Sequence, residues 1–269
     1  AALALAAAAP NARAGEGACP VPDVLHPKPF TQSSVVVDTV DGRALRARLY
    51  RPSGEGPHPG ILLIHGGGWM IGGPVLLDET AKHLARQGFV VLNAPYRFLG
   101  VARMRGAVRD SVCAMRWLNA HAADLDVAPG CTGVAGDSAG GHLAAMVALA
   151  GDDPRFGDGC ADAGDATAEV RFAASLYGIV DWSEQIDLYG PGIELWWSAA
   201  VLEPGEVWQD YSPITRVGGA PTSIDFFVTH GRLDDLAPVG MSLNFAAALE
   251  AAGHPVTLQI IEEARHGYF

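Results

Sequence analysis

A serine set among small residues, Gly136-Asp137-Ser138-Ala139-Gly140-Gly141, lies between a short apolar run, Thr132 to Ala135, and an Ala/Leu-rich run, His142 to Ala150. This is G-x-S-x-G in a strand–turn–helix setting. A serine held at a strained turn leaving a strand exposes its hydroxyl at the top of a sheet, and the glycines around it relieve crowding, so Ser138 is the candidate nucleophile. Alone, the motif reads equally well as a glycine-rich turn capping a helix. Two further segments weigh against that bland reading. Upstream, Ile61-Leu62-Leu63-Ile64 has the continuous apolar character of a buried parallel strand and ends in His65-Gly66-Gly67-Gly68-Trp69. Three successive glycines let the backbone approach a reacting carbonyl and aim N–H groups at the oxyanion that forms there. Downstream, Asp225 to His230 reads as another buried strand, followed by Gly231-Arg232-Leu233-Asp234-Asp235; near the last residue comes Ala264-Arg265-His266-Gly267. A nucleophile, an acid and a base thus follow in the order Ser, Asp, His, each after a predicted strand.

That order is the one stated for α/β-hydrolases and differs from the chymotrypsin and subtilisin orders. Together, HGGGW at 65–69, GDSAGG at 136–141, HGRLDDLAP at 230–238 and RHGYF at 265–269 resemble the hormone-sensitive-lipase-like esterases of the α/β-hydrolase superfamily, above all the small carboxylesterases and feruloyl-type esterases. The likeness runs from about Val35 onward; each motif alone is common, and the set is specific. It implies an α/β-hydrolase fold, a mostly parallel central sheet with helices on both faces and a small cap segment. By position it places the nucleophile on Ser138, the base on His266 and the acid on Asp234, with the adjacent Asp235 as the alternative. The oxyanion hole falls on the Ala139 N–H, which follows the nucleophile, and on Gly67 and Gly68 of the glycine run. The chemistry implied is hydrolysis of short-chain or aryl carboxylic esters through an acyl-enzyme, with a small-molecule ester as partner and no cofactor. His65 is expected to hold the glycine loop, and Asp137 and His142 to support the turn. Trp69 and Trp182 are the candidate substrate-contacting side chains. Trp182 begins an aromatic stretch with Tyr189, Trp196, Trp197, Trp208 and Tyr211 that either lines an acyl or aryl pocket or packs on itself.

The elements that must position these groups alternate along the chain. Ser34 to Val40 and Ala44 to Tyr50, around Asp41-Gly42, form a hairpin signal. Leu76 to Gln87 has helical spacing and a closing Gly88, Phe89 to Leu92 reads as a strand, and Arg103 to Asp124 as a helix with Trp117 in its apolar face. Val170 to Tyr177 and Val256 to Ile261 read as strands and Val239 to Ala252 as a helix. Such alternation predicts right-handed crossovers and a parallel sheet. Asp152 to Glu169 is rich in Asp, Gly and Ala and is expected to be a solvated loop; the spacing of its carboxylates does not match an EF-hand.

With 269 residues and 49% hydrophobic content, the chain can bury one large core. A net charge of −12 argues against nucleic acid and against an anionic membrane surface as partners. Residues 1–14 resemble the apolar region and small-residue cleavage site of a secretory signal, the other reading being an Ala-rich leader with no address. A secreted or periplasmic location is therefore expected. Residues 15–32 read as an extended leader and 33–269 as the hydrolase domain. Truncation is expected at its end, because the resemblance implies a closing helix after His266. No other run reaches the about 18 apolar residues of a spanning helix. Of the four cysteines, Cys19 and Cys160 lie in loops and make the expected disulfide, whereas Cys113 suits a buried filler as well as a bridge; no metal-binding spacing is present. Two other readings use these same residues: an arylformamidase-like amidase or serine peptidase, and a non-catalytic binding module, against which the intact triad argues.

Overall fold

The computed structural model describes residues 19–190, 198–220 and 224–268. Its strands are β1 (Phe30–Val40), β2 (Arg43–Pro52), β3 (His58–Ile64), β4 (Val90–Ala94), β5 (Val127–Asp137), β6 (Phe172–Leu176), β7 (Asp225–Gly231) and β8 (Val256–Ile261). The principal helices are α1 (Asp78–Arg86), α2 (Met104–Ala120), α3 (Ala139–Ala150), α4 (Trp182–Tyr189) and α5 (Val239–Ala251). The strands form one sheet in the order β1-β2-β4-β3-β5-β6-β7-β8. β1 pairs with β2, and β2 with β4, antiparallel; every other pair is parallel. The hairpin turn falls where expected, with Asp41 and Gly42 both at positive φ, 50° and 74°, as a two-residue turn matching the twist of its strands requires.

β3, β4 and β6 are buried along their whole length. They need apolar residues on both faces because helices cover both faces, which is why they read as continuous runs. Ile61 and Leu63 pack with Ala81, Leu84 and Ala85 of α1, whereas Leu62 and Ile64 join the cluster that includes α2, α3 and α5. The parallel order sends the carboxyl ends of β3, β5, β7 and β8 to one edge of the sheet. The glycine run, Ser138, Asp234 and His266 leave from those ends.

Four local expectations change. The helix expected from Leu76 begins as a 3₁₀ turn, Pro74–Leu77, before α1, and the helix expected to reach Asp124 ends at Ala120. The stretch from Asp152 to Glu169 is not a plain solvated loop: Phe156 is fully buried, and Asp153 pairs with Arg155 and Arg216. The expected Cys19–Cys160 bridge does not form. Cys19 is bonded to Cys131 and Cys113 to Cys160, with Cα–Cα separations of 5.4 and 5.2 Å. The reason is the face of α2 on which Cys113 lies. Arg109, one turn before it, donates to the carbonyls of Asp158 and Gly159, and Arg116, three residues after it, donates to the carbonyl of Gly157. Three side chains one turn apart thus hold the 157–160 backbone against the helix and bring Cys160 to Cys113.

Candidate active site

Ser138 stands between β5 and α3 with φ 52° and ψ −119°, a conformation that a non-glycine residue adopts only when its surroundings impose it. The constraint is packing. A Cβ on Gly140 would lie 2.0 Å from the Ile64 carbonyl oxygen, and one on Gly136 would lie 2.3 Å from the Gly140 oxygen. Helix α3 therefore sits so close to β3 and β5 that only glycine fits, and the turn between strand and helix must be tight. The Ser138 N–H donates to the Leu176 carbonyl (2.8 Å), and the Ser138 carbonyl accepts from the His142 N–H (3.0 Å).

The three expected triad residues meet. His266 Nε2 is 2.8 Å from Ser138 Oγ, and His266 Nδ1 is 2.7 Å from Asp234 Oδ2. Between a carboxylate and a hydroxyl, the ring carries its proton on Nδ1 and offers Nε2 as acceptor. Asp234, not Asp235, is the carboxylate in contact with the base. The Asp235 side chain is exposed and pairs with Arg265 (3.0 Å).

The Asp234 side chain is fully buried, and each of its oxygens receives two donors. Oδ1 accepts from the N–H groups of Leu236 (3.0 Å) and Ala237 (2.8 Å); Oδ2 accepts from His266 and lies 3.1 Å from His230 Nε2. Burial alone would raise this carboxyl, but the bonds from His230, His266 and the Ala237 N–H outweigh it and hold Asp234 well below the usual carboxylate range. His230 is itself buried between Ser242 Oγ (2.7 Å) and the Ala237 carbonyl (2.9 Å). Sequence reasoning gave His230 no role; the signal available was its place at the end of β7, four residues before the acid.

The glycine run is folded into a loop facing the serine. Gly67, Gly68 and Trp69 all have positive φ, 115°, 59° and 58°. The N–H groups of Met70 and Ile71 turn back to the Gly67 carbonyl (both 3.1 Å), and a Cβ on Gly67 would lie 2.1 Å from the Ile71 oxygen. Asp137 anchors the start of this loop, its Oδ1 accepting from the Gly66 N–H (2.8 Å); burial pushes its carboxyl up, partly offset by that bond. His65 faces the loop, not the serine. Its Nδ1 donates to the Gly66 carbonyl (2.6 Å), its ring stacks on Tyr96, and burial lowers its pKa. Ala139 is the first residue of α3, so its N–H has no acceptor within the helix.

These groups surround a cleft of about 390 Å³, lined by Gly67, Gly68, Trp69, Met70, Asp137, Ser138, Tyr177, Ile179, Gln185, Leu236, His266 and Gly267. The cleft is small and mostly apolar, with the serine and the imidazole among its few polar groups. Tyr177, which the motifs did not single out, has φ 40° and packs its ring edge-on to His266 at 4.9 Å. Gln185 donates from Nε2 to the Leu236 carbonyl (3.1 Å), joining α4 to the acid loop. Of the two tryptophans proposed to touch substrate, Trp69 lines the cleft. Trp182 does not: it is fully buried, its ring tilted against Trp69 (5.0 Å) and stacked on Trp208 (4.5 Å). Trp182, Trp208 and Tyr211 are therefore core side chains, all three buried. Trp196 and Trp197 lie outside the described residues.

A family model described as BD-FAE matches residues 48–249, a span that contains the glycine run, the serine turn and the acid. The chain belongs to the BD-FAE family. The probable carboxylic ester hydrolase LipM of Mycobacterium tuberculosis is 29% identical over 79% of this chain and 50% of its own length. Carboxylic ester hydrolase LipN of the same organism is 32% identical over 82% of this chain and 60% of its own, so the chain spans only about half to three-fifths of these curated relatives. Ethyl acetate hydrolase of Pseudomonas putida is 29% identical over 90% of this chain and 76% of its own length. Among solved structures, the propionate-bound thermophilic esterase Est2 of the Planctomycetes species Thermogutta terrifontis superposes with a TM-score of 0.76 at 25% identity, covering 92% of this chain and 87% of that one. The same esterase phosphorylated by paraoxon superposes with a TM-score of 0.74 at 26% identity, covering 88% and 85%. The fold is that of the α/β-hydrolases.

Proposed function

We propose that the protein is a serine carboxylesterase acting on short-chain or aryl carboxylic esters. The observation that carries this reading is the unbroken chain Ser138 Oγ–His266 Nε2 (2.8 Å) and His266 Nδ1–Asp234 Oδ2 (2.7 Å) at the floor of a small cleft. His266 Nε2 removes the Ser138 proton as Oγ attacks the ester carbonyl, and Asp234 stabilises the imidazolium that forms. The tetrahedral oxyanion is received by the Ala139 N–H and by N–H groups of Gly67 and Gly68. Collapse breaks the bond to the leaving alkoxide, which takes the proton from His266. Water, deprotonated in turn by His266, then hydrolyses the acyl-serine to free acid and Ser138.

Two features favour small substrates: the cleft volume of about 390 Å³, and relatives that include an ethyl acetate hydrolase and an esterase holding propionate. Two disulfides favour an oxidising, extracytoplasmic location. The testing experiment is hydrolysis of p-nitrophenyl acetate and butyrate by the unaltered chain and by Ser138→Ala. Turnover is expected in the first, with a loss of about 10⁴-fold or more in the second and an unchanged circular dichroism spectrum. A folded, unaltered protein that hydrolyses neither ester sinks the reading; equal rates on the matching anilide would move it to an amidase.

A further inference from the structure

The two halves of the proposed oxyanion hole come from different elements, the glycine loop after β3 and the start of α3, and the His142 side chain reaches from the second to the far end of the first. His142 lies in the first turn of α3, three residues after Ala139, and is fully buried. Its Nε2 is 2.8 Å from the Tyr211 carbonyl oxygen, and its Nδ1 is 3.2 Å from Trp69 Nε1. A carbonyl oxygen at that distance requires the ring proton on Nε2, which leaves Nδ1 as the acceptor for the Trp69 indole N–H. The Trp182 indole nitrogen also stands at the Nε2 edge, at 3.4 Å, and the rings of Trp69 and Trp182 both meet the His142 ring edge-on. Burial lowers the His142 pKa to about 4. At neutral pH the ring therefore keeps its acceptor, which a protonated imidazole would lack.

Trp69 needs such a hold. It is a bulky residue in the left-handed region, at φ 58°, a strained conformation that persists only where the surroundings enforce it. Its backbone carbonyl accepts from the Leu99 N–H (3.0 Å), and its side chain is fixed by the bond to His142. Gly67 and Gly68 immediately precede it, so the orientation of their N–H groups follows the orientation of Trp69.

Resting on the esterase reading, we infer that His142 is a positioning residue of the oxyanion hole, holding the glycine loop in register with Ala139 through its bond to the Trp69 indole. His142 touches neither substrate nor the reacting atoms; its effect falls on transition-state stabilisation. Misplacing oxyanion donors lowers turnover more than substrate binding, by about 10- to 100-fold for partial displacement.

The experiment measures kcat and KM on p-nitrophenyl butyrate for the unaltered protein, His142→Leu, His142→Asn, Trp69→Phe and the double variant His142→Leu/Trp69→Phe, with folding checked by circular dichroism. His142→Leu is expected to lower kcat about 10- to 100-fold with KM changed less than about threefold. His142→Asn, whose amide oxygen can stand near the Nδ1 position, is expected to recover most of the loss. Trp69→Phe removes the donor and is expected to lower kcat similarly. In that background His142→Leu should add less than about a threefold loss, because no indole N–H is left to pair. A packing role would instead give the same His142→Leu penalty in both backgrounds, and that result, or an unchanged kcat in His142→Leu, overturns the inference. Should His142→Leu fail to fold, Trp69→Phe decides alone: a lowered kcat at constant KM supports the inference and a kcat equal to that of the unaltered protein overturns it. An unaltered protein with no esterase activity removes the parent reading and this inference with it, whereas an active enzyme insensitive to these changes removes only the inference.

Discussion

Each oxygen of Asp234 faces two donors, and the two histidines among them do different work. His266 reaches onward to Ser138 Oγ, while His230 is closed in by Ser242 and the Ala237 carbonyl and can only hold the carboxylate in place. A carboxylate with its acceptor sites filled stays ionised and fixed, which is what orienting an imidazole and stabilising its charged form require. Asp235, one residue on, is exposed and pairs with Arg265 at the surface. Asp234→Asn is therefore expected to lower kcat by about 10³–10⁴-fold, and Asp235→Asn to leave it within about twofold, both read on p-nitrophenyl butyrate. The reverse pattern would move the acid to Asp235 and contradict the geometry.

At the scale of elements, the serine turn is made by packing and not by the serine. β3 is paired on both sides, with β4 and β5, so the Ile64 carbonyl cannot retreat from α3. A methyl group on Gly140 would meet that oxygen at 2.0 Å, and α3 would have to move outward. Gly140→Ala is expected to destabilise the fold by about 1–3 kcal/mol. It should also lower kcat by more than the unfolded fraction explains, since α3 carries Ala139 and His142. Urea midpoints alongside rates on folded protein check this. A variant with unchanged midpoint and full rate would mean that the contact is not tight.

Across the whole molecule, the candidate catalytic groups from four strand ends converge because the parallel pairs bring the carboxyl ends of β3, β5, β7 and β8 to one edge. The disulfides lie away from this edge: Cys113–Cys160 fastens a loop to α2, Cys19–Cys131 ties the stretch before β1 to β5, and none of the four cysteines lines the cleft. Their contribution is to stability. The bridges close 47 and 112 residues of sequence separation. Replacing both cysteines of either pair by serine is expected to lower unfolding free energy by about 2–4 kcal/mol while kcat stays within about twofold. Loss of activity in a variant still folded would place a bridge in the support of the cleft.

What the residues determined by themselves is the candidate site and the frame. A serine between glycines after an apolar run, three glycines after another, and an aspartate and a histidine after two more are local patterns, and local patterns fix strands, tight turns and the ends from which side chains emerge. The central sheet, and the gathering of a serine, an aspartate and a histidine at one edge of it, follow from that alternation. Tertiary structure decided what depends on distances between segments far apart in the chain. Which of two adjacent aspartates faces the base was settled by the acid loop closing over His230. Which cysteines pair was settled by the face of α2 that grips the loop ending at Cys160, a choice that loop composition does not encode. Trp182 looked like a pocket wall because it is aromatic and follows β6, yet it is buried against Trp69, since an aromatic side chain serves a core as readily as a cleft. From sequence, His142 is likewise only a residue of the serine helix that supports its turn. Its bond to Trp69 exists because β3 and β5 are neighbours in the sheet, which brings together two side chains 73 residues apart in the chain.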